Sequence, residues 1–223
     1  MRFEFKRATL LIIVLSTIFR TVNAFFLEIT PLEAYNINYA LFPEFGSITS
    51  PPMLGWIIQL FTNNLSSYSN LIIRLSAIIC GSTSLWIIFT IGRRLKNEAC
   101  GFYSVLLFSL SVYFNTFGGL FLVNESVLLL FFLLSIYFIL EGFIHTDISC
   151  NESRILCNIA IVMTGLFIGL SALSLFYSIV LWPILIIYSL IYKRYLFFKG
   201  EIYISILITL LIILPYIIWN VNN

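Results

Sequence analysis

The sequence predicts an all-α integral membrane protein with about seven transmembrane helices. Of its 223 residues, 61% are apolar and only 10% are charged. A soluble domain carries about 25% charged residues, so this chain has too little charge to cover a core in water. Runs of roughly 20 apolar residues, the length that crosses the hydrocarbon of a bilayer, recur along the chain. They must be helices, because a backbone in lipid has to satisfy its own hydrogen bonds.

These runs are bounded by charged or turn-forming residues and together predict one membrane domain over residues 1–223. The predicted spans are residues 8–27, 71–92, 99–116, 121–143, 155–174, 176–192 and 202–219.

The distribution of basic residues predicts the orientation of these spans. If the N-terminus is cytoplasmic, the cytoplasmic segments hold all but two of the 12 lysines and arginines. The two exceptions, Arg20 and Arg74, fall near the outer ends of the first and second spans. Cytoplasmic loops carry an excess of Lys and Arg. The pattern therefore predicts a cytoplasmic N-terminus and an extracytoplasmic C-terminus, and we expect the chain to lie in the plasma (inner) membrane.

A cleavable signal peptide is the alternative interpretation of the N-terminus. Basic residues within 2–7 precede an apolar run, and Val22-Asn23-Ala24 resembles a cleavage site. Arg20 just before that site and the apolar Phe25-Phe26-Leu27 after it favour a retained helix.

The first outer loop, about residues 28–70, is the longest connection between predicted spans. It contains two predicted amphipathic helices, residues 31–42 and 51–62. In the first, Glu33 and Asn36 share a polar face, whereas the apolar residues form another stripe: Leu32, Tyr35, Tyr39 and Phe42. Both segments are too short to span a bilayer, so we expect them to lie along its outer surface.

Charged residues near the outer ends of the spans are the candidates for function. Glu125 follows the helix-breaking Gly118-Gly119 and opens the fourth span, where a carboxylate is uncommon. Arg20 and Arg74 carry planar guanidinium groups that suit phosphate recognition. The alternatives are that the carboxylate reaches water or caps a helix, and that each arginine extends to the membrane interface.

In their order and spacing, these motifs resemble those of glycosyltransferase family 39, which includes protein O-mannosyltransferases and bacterial lipid A aminoarabinose transferases. The matching segments are Arg20, Glu33-Ala34-Tyr35, Pro51-Pro52-Met53, Arg74-Leu75, Gly92-Arg93-Arg94-Leu95, Asn124-Glu125, Gly165-x-x-x-Gly169-Leu170 and Pro215-x-x-x-Trp219-Asn220.

The sequence also departs from the family pattern. Leu32 replaces the first acid of the acidic motif, and Thr49-Ser50 replaces an Asp-His pair before the double proline. Leu175 stands where many members have lysine. The chain ends soon after Trp219-Asn220, where family members continue. These departures predict a chain with weak or no activity in isolation.

The resemblance implies a GT-C fold and transfer of a sugar from a polyprenyl-phosphate donor to an acceptor on the extracytoplasmic face. It implies that Glu33 is the general base or the acid that orients the acceptor, and that Arg20, Arg74, Tyr35 and Asn36 bind substrate. Glu125 is then expected either to assist Glu33 or to share a divalent metal ion with it; no other cofactor is expected. The implied partners are the lipid-linked sugar, membrane lipid and an acceptor of unknown class; no nucleic acid partner is expected.

Two other functions are compatible with the sequence. The first is a relative that binds a lipid-linked sugar or a protein partner without catalysis, which the replaced residues favour. The second is a transporter or flippase. Transporters carry ionisable groups near the bilayer midplane, whereas the ionisable residues of this chain cluster near the predicted surfaces.

Overall fold

A computed structural model of the protein describes residues 4–41, 51–63, 69–144, 151–192 and 200–222. The sequence-based assignments to Phe42, Thr49 and Ser50 lie outside these residues. The described residues are helical and contain no strand, which confirms the predicted all-α class. The helices are α1 Phe5–Phe26, α2 Pro31–Leu41, α3 Met53–Thr62, α4 Asn70–Leu95, α5 Glu98–Leu110, α6 Val112–Thr116, α7 Asn124–Ile139, α8 Asn151–Ala172, α9 Leu181–Tyr192 and α10 Gly200–Asn222.

Five of the seven predicted spans are helices long and apolar enough to cross a membrane. They are Phe5–Phe26, Asn70–Leu95, Asn124–Gly142, Ile155–Ala172 and Gly200–Asn222. The third of these includes the start of a π-helical turn, Leu140–Ile144, that follows α7. The two helices predicted in the first outer loop are also present, as α2 and α3; their position at the membrane surface stays a prediction.

The remaining two predicted spans are each divided. Residues 99–116 form α5 and α6, because the backbone of Ser111 is extended (φ −68°, ψ 119°) and interrupts the helix. Residues 176–192 form a 3₁₀ turn, Phe176–Val180, followed by α9. Pro183 lies in the first turn of α9, where a missing backbone N–H costs little.

The contacts divide the chain into two compact units. The first unit comprises Met1–Pro43 and Met53–Leu130, and the second comprises Glu44–Pro52 and Phe131–Asn223.

In the first unit, α5 and α6 together run alongside α1 in the same direction. At one end the rings of Phe5 and Phe102 lie 5.8 Å apart, and towards the other end Arg20 bonds Asn115. Helix α4 runs the opposite way: Arg74, near its start, bonds Ala24 near the end of α1, whereas Ser82, further along α4, lies 2.7 Å from Thr17 of α1. The divided third span therefore extends along most of the length of α1. We call the end of this unit that carries α2 the α2 end.

In the second unit, α8 and α10 run in the same direction and are joined by hydrogen bonds from small polar side chains. Ser205 Oγ donates to the Ile161 carbonyl and Thr209 Oγ1 donates to the Gly165 carbonyl, both at 2.8 Å. The 3₁₀ turn and α9 run antiparallel to α10: the ring of Phe176 lies 4.8 Å from that of Tyr216, whereas Trp182 Nε1 donates to Thr209 Oγ1, earlier in α10, at 3.2 Å. A buried apolar cluster surrounds these bonds: Ile161, Ile168, Leu181, Trp182, Leu185 and Ile202.

Burial follows the pattern expected for a chain dissolved in lipid. In α1 the side chains of Thr9 and Arg20 are buried, whereas apolar residues such as Phe19 and Phe26 are exposed. Helix α2 repeats this arrangement, with Glu33 and Asn36 buried and Leu32 and Tyr35 exposed. In these two helices, the named polar side chains therefore point into the protein, whereas large apolar side chains point outward.

We predict that Gly165→Ala weakens the packing of α8 against α10. A β-carbon at Gly165 would collide with the backbone carbonyl of Ser205. Overpacking of this kind costs about 1–3 kcal/mol, so the melting temperature in lipid nanodiscs should fall. Gly200→Ala is the matched control, because a β-carbon there meets nothing within 4 Å. Equal melting temperatures for the two variants would contradict the close contact between α8 and α10.

The topology predicts that Lys96 and Asn220 lie on opposite sides of the membrane. Lys96 follows the second span, and Asn220 follows the last. A cytoplasm-active reporter fused after Lys96 and a periplasm-active reporter fused after Asn220 should both be active. Activity on the same side for the two positions would exclude seven alternating crossings.

Candidate functional site

Glu33 forms a capping box at the start of α2. The Glu33 amide donates to Thr30 Oγ1 at 3.3 Å, and the Thr30 amide donates to Glu33 Oε2 at 3.0 Å. The Thr30 hydroxyl lies 3.0 Å from the same carboxylate oxygen. This reciprocal pattern satisfies amides that the first turn of a helix leaves without partners. One role of Glu33 is therefore to start α2.

The same carboxylate forms a buried ion pair with Arg74 of α4. Arg74 Nε donates to Glu33 Oε1 at 2.8 Å, and Arg74 Nη2 donates to Oε2 at 2.6 Å. Both side chains are 1% exposed. The amide of Leu122 adds a further bond to Oε1 at 3.1 Å. A carboxylate has about four acceptor positions, so these contacts leave Glu33 without a free one in this arrangement.

Arg74 is equally saturated. Its Nη1 donates to the carbonyls of Ala24 and Leu27 at 3.2 and 2.8 Å, and Nη2 also donates to the Glu28 carbonyl at 2.7 Å. These carbonyls belong to the last turn of α1 and the residues after it, so Arg74 caps the C-terminus of α1. With the two bonds to Glu33, all five N–H donors of a guanidinium are used.

The pKa of the Glu33 carboxyl lies below its ordinary value. Burial by itself raises this pKa because it disfavours the charged form. Hydrogen bonds from Arg74, Thr30 and Leu122, together with the charge of Arg74, outweigh the burial and lower the pKa. Glu33 is therefore a stable carboxylate at neutral pH.

Asn36 lies one helical turn beyond Glu33 and binds the same segment of chain. Its Nδ2 donates to the carbonyl of Leu122 at 2.9 Å. The predicted polar face of α2, Glu33 with Asn36, thus holds both backbone groups of one residue. Tyr35, the other predicted substrate-binding residue of α2, lies on the opposite, exposed face.

Arg20 is a buried cation with an incomplete set of partners. It is 2% exposed, its Nε donates to Asn115 Oδ1 at 2.9 Å, and its Nη1 has no hydrogen-bond partner. Gly81 and Gly119 line the space around the guanidinium, where a β-carbon at either residue would lie 2.5 Å from Nη1. Within the described residues, Arg20 forms no ion pair.

Glu125 lies in the first turn of α7 and is half-buried. Within the described part of the chain its carboxylate has no hydrogen bond or ion pair. The neighbouring Asn124 has a buried Oδ1 that also lacks a partner. Of the predicted site residues, the structure thus joins Glu33, Arg74 and Asn36 through direct bonds and shared partners, and it leaves polar atoms of Arg20 and Glu125 unbonded.

A metal ion does not fit the arrangement around Glu33. The described residues contain no group of three or more His, Cys, Asp or Glu side chains that could hold one. The oxygens of Glu33 are already occupied by a guanidinium and three other donors. The divalent ion predicted to join Glu33 and Glu125 stays a prediction.

The fold and these buried charges define a polytopic membrane protein with a polar network at the α2 end. The family model described as dolichyl-phosphate-mannose-protein mannosyltransferase matches residues 49–219. The chain therefore belongs to this family of membrane glycosyltransferases, as the order of its motifs predicts. The matched region includes Arg74 and Glu125, whereas Arg20 and Glu33 precede it. No curated protein and no solved structure matched the chain.

Some of the network was recognisable from the sequence and some was not. Thr30-Pro31-Leu32-Glu33 has the spacing of a capping box, a local signal that identifies the structural role of Glu33. Asn115 and Leu122 carry no comparable signal, because their partners lie 95 and 89 residues away along the chain.

We predict that Arg74→Met destabilises the protein by about 3–5 kcal/mol, because it leaves a buried carboxylate without its partner. Thermal unfolding in nanodiscs measures the change. The double variant Arg74→Met/Glu33→Leu should recover part of the loss, since both charges are then removed. Glu28→Gln is the control, because that side chain is exposed. A double variant that loses as much as the sum of both single variants would show that the two residues are not coupled.

The lowered pKa of Glu33 predicts that the folded state loses stability at acidic pH, which we call the acid limb of the stability profile. The stabilisation is fully present above the unfolded pKa of glutamate, about 4.3, and is lost as the pH falls through the lower folded value. The melting temperature of the wild type should therefore be steady near neutral pH and fall in acid. Glu33→Gln should show a shallower acid limb. Identical pH profiles for the two proteins would contradict the pairing.

Proposed function

We propose that the protein transfers a sugar from a polyprenyl-phosphate donor to an acceptor on the extracytoplasmic face of the membrane. The observation that carries this proposal is the family match over residues 49–219. Long apolar helices allow the polyprenyl tail to remain in the bilayer while the phosphate reaches polar residues at the α2 end.

Arg20 is our candidate for contact with the donor phosphate. An unpartnered donor on a buried cation is costly unless a ligand completes its bonding. Arg74 carries the same charge, but its donors are all engaged within the protein. The support for Arg20 is thus its free Nη1 and the absence of an ion pair for it within the described residues.

Glu125 is our candidate for contact with the acceptor hydroxyl. In the proposed reaction the acceptor oxygen forms a bond to the anomeric carbon while the bond from that carbon to the phosphate oxygen breaks. The hydroxyl proton passes to Glu125, and the electron pair leaves with the polyprenyl phosphate, whose growing charge faces Arg20. The family resemblance assigned the role of general base to Glu33. In that role, Glu33 would first have to break one of its hydrogen bonds within the protein to reach the acceptor.

Purified protein in nanodiscs, supplied with polyprenyl-phosphate sugars and candidate acceptors, tests this proposal. Glu125→Gln should reduce turnover by about 100-fold or more, the usual contribution of a general base. Arg20→Met should reduce turnover to a similar degree, since it removes charge that stabilises the leaving phosphate. Glu28→Gln is a matched control that leaves both contacts in place. If Glu125→Gln turned over as fast as the wild type, the assignment of Glu125 as the general base would be wrong.

The second candidate is a protein that binds a lipid-linked sugar without transferring it. The observation that favours it is the engagement of Glu33 and Arg74 in bonds within the protein. Tight binding of a polyprenyl-phosphate sugar that weakens in Arg20→Met, with no turnover for any donor and acceptor tested, would favour this candidate over the transferase.

A further inference from the structure

Leu122 is the residue through which α2 contacts the start of α7. It lies between the turn that follows α6 and the first residue of α7, and its side chain is fully buried. Leu120 and Phe121 donate their amides to the Thr116 carbonyl, and Val123 donates to the Phe121 carbonyl. Among the described residues, neither polar backbone group of Leu122 has a backbone partner. A buried backbone group without a partner is costly, so Leu122 depends on side chains.

Helix α2 supplies both of these partners. The Leu122 amide donates to Glu33 Oε1, and the Leu122 carbonyl accepts from Asn36 Nδ2. Glu33 and Asn36 are three residues apart and therefore neighbours on one face of α2. Their spacing matches the amide and carbonyl of a single residue. Two side chains of one helix thus hold both the amide and the carbonyl of Leu122 in place.

The position of Glu33 in turn depends on Arg74. The guanidinium binds both carboxylate oxygens and the C-terminus of α1, so it connects the end of α1, the start of α2 and the segment that contains Leu122. Glu125 follows Leu122 by three residues. Any movement of Leu122 would therefore shift or rotate the first turn of α7 and its carboxylate.

We propose that Glu33 and Asn36 are positioning residues that hold the start of α7, and thereby set the location of Glu125. This inference rests on the proposed function, which makes Glu125 the group that contacts the acceptor. Glu33 then acts on the reaction through Leu122 and has no contact with substrate. We call the two bonds from Glu33 and Asn36 to Leu122 the clamp. A displacement of about 1 Å in a catalytic group can lower the rate by about 100-fold, so the clamp affects catalysis without participating in it.

Asn36→Leu tests the clamp, because it removes the donor to the Leu122 carbonyl while keeping a side chain of similar size. It leaves the ion pair between Glu33 and Arg74 intact. Asn38→Leu is the matched control, because it makes the same change on the exposed face of the same helix. Asn36→Gln keeps an amide donor and serves as the conservative variant.

Hydrogen exchange and chemical labelling measure how firmly the clamp holds the start of α7, and neither measurement requires enzymatic turnover. In Asn36→Leu, amide exchange across residues 119–126 should rise roughly tenfold, the effect of about one lost hydrogen bond. Labelling of Glu125 by a water-soluble carbodiimide, quantified by peptide mass spectrometry, should become faster. Asn38→Leu should match the wild type in both measurements, and Asn36→Gln should recover part of the protection.

Steady-state kinetics distinguish a positioning role from a purely structural one, because a purely structural role would leave kcat unchanged. With an active donor and acceptor pair, Asn36→Leu should lower kcat by about 10- to 100-fold and leave the KM for the donor nearly unchanged. Faster exchange with unchanged Glu125 labelling and unchanged kcat would overturn the proposal, as would unchanged exchange. If the wild type has no turnover, the proposed reaction fails, while exchange and labelling still decide whether α2 positions Glu125.

If Asn36→Leu does not fold, Asn36→Ser replaces it in all of these measurements. The serine side chain is too short to reach the Leu122 carbonyl.

Discussion

The buried ion pair between Glu33 and Arg74 is the interaction on which the described end of the first unit depends. It joins the C-terminus of α1, the capping box of α2 and α4 through one guanidinium and one carboxylate. Burying two charges is favourable only when their remaining donors and acceptors are satisfied. Here all five donors of Arg74 and the acceptor positions of Glu33 are filled, so the charges are compensated within the protein.

This saturation changes how acidic and basic residues in such a membrane protein are interpreted. A carboxylate in an outer loop and an arginine at the end of a span suggest a catalytic base and a phosphate ligand. When the two side chains pair and their other donors and acceptors are also occupied, neither has a free hydrogen-bonding position for substrate in this arrangement. We therefore propose that ligand contact falls to Arg20 and Glu125, which keep unbonded polar atoms within the described residues. The amphipathic helix α2 becomes a structural element whose polar face holds the chain that leads to Glu125.

The lipid environment explains why polar residues have this role. Apolar side chains gain little by packing inside a protein that is itself dissolved in hydrocarbon, so hydrogen bonds and close backbone contacts contribute more to specificity. The first unit uses the Glu33 network, and the second uses Ser205 and Thr209 against the backbone of α8. Gly81, Gly119 and Gly165 allow the close approaches that these contacts require.

The sequence by itself determined the membrane class, the approximate spans, the two helices of the first loop and the family, because hydropathy, charge and motif order are properties of local segments. It also contained the capping box of Thr30 and Glu33. Only the tertiary structure decided that Glu33 pairs with Arg74, that Asn36 and Glu33 share Leu122, and that Arg20 rests between glycines beside Asn115. These partners lie 41 to 95 residues apart. No local pattern specifies such pairings, since they arise when the helices pack and each buried polar group must find a partner.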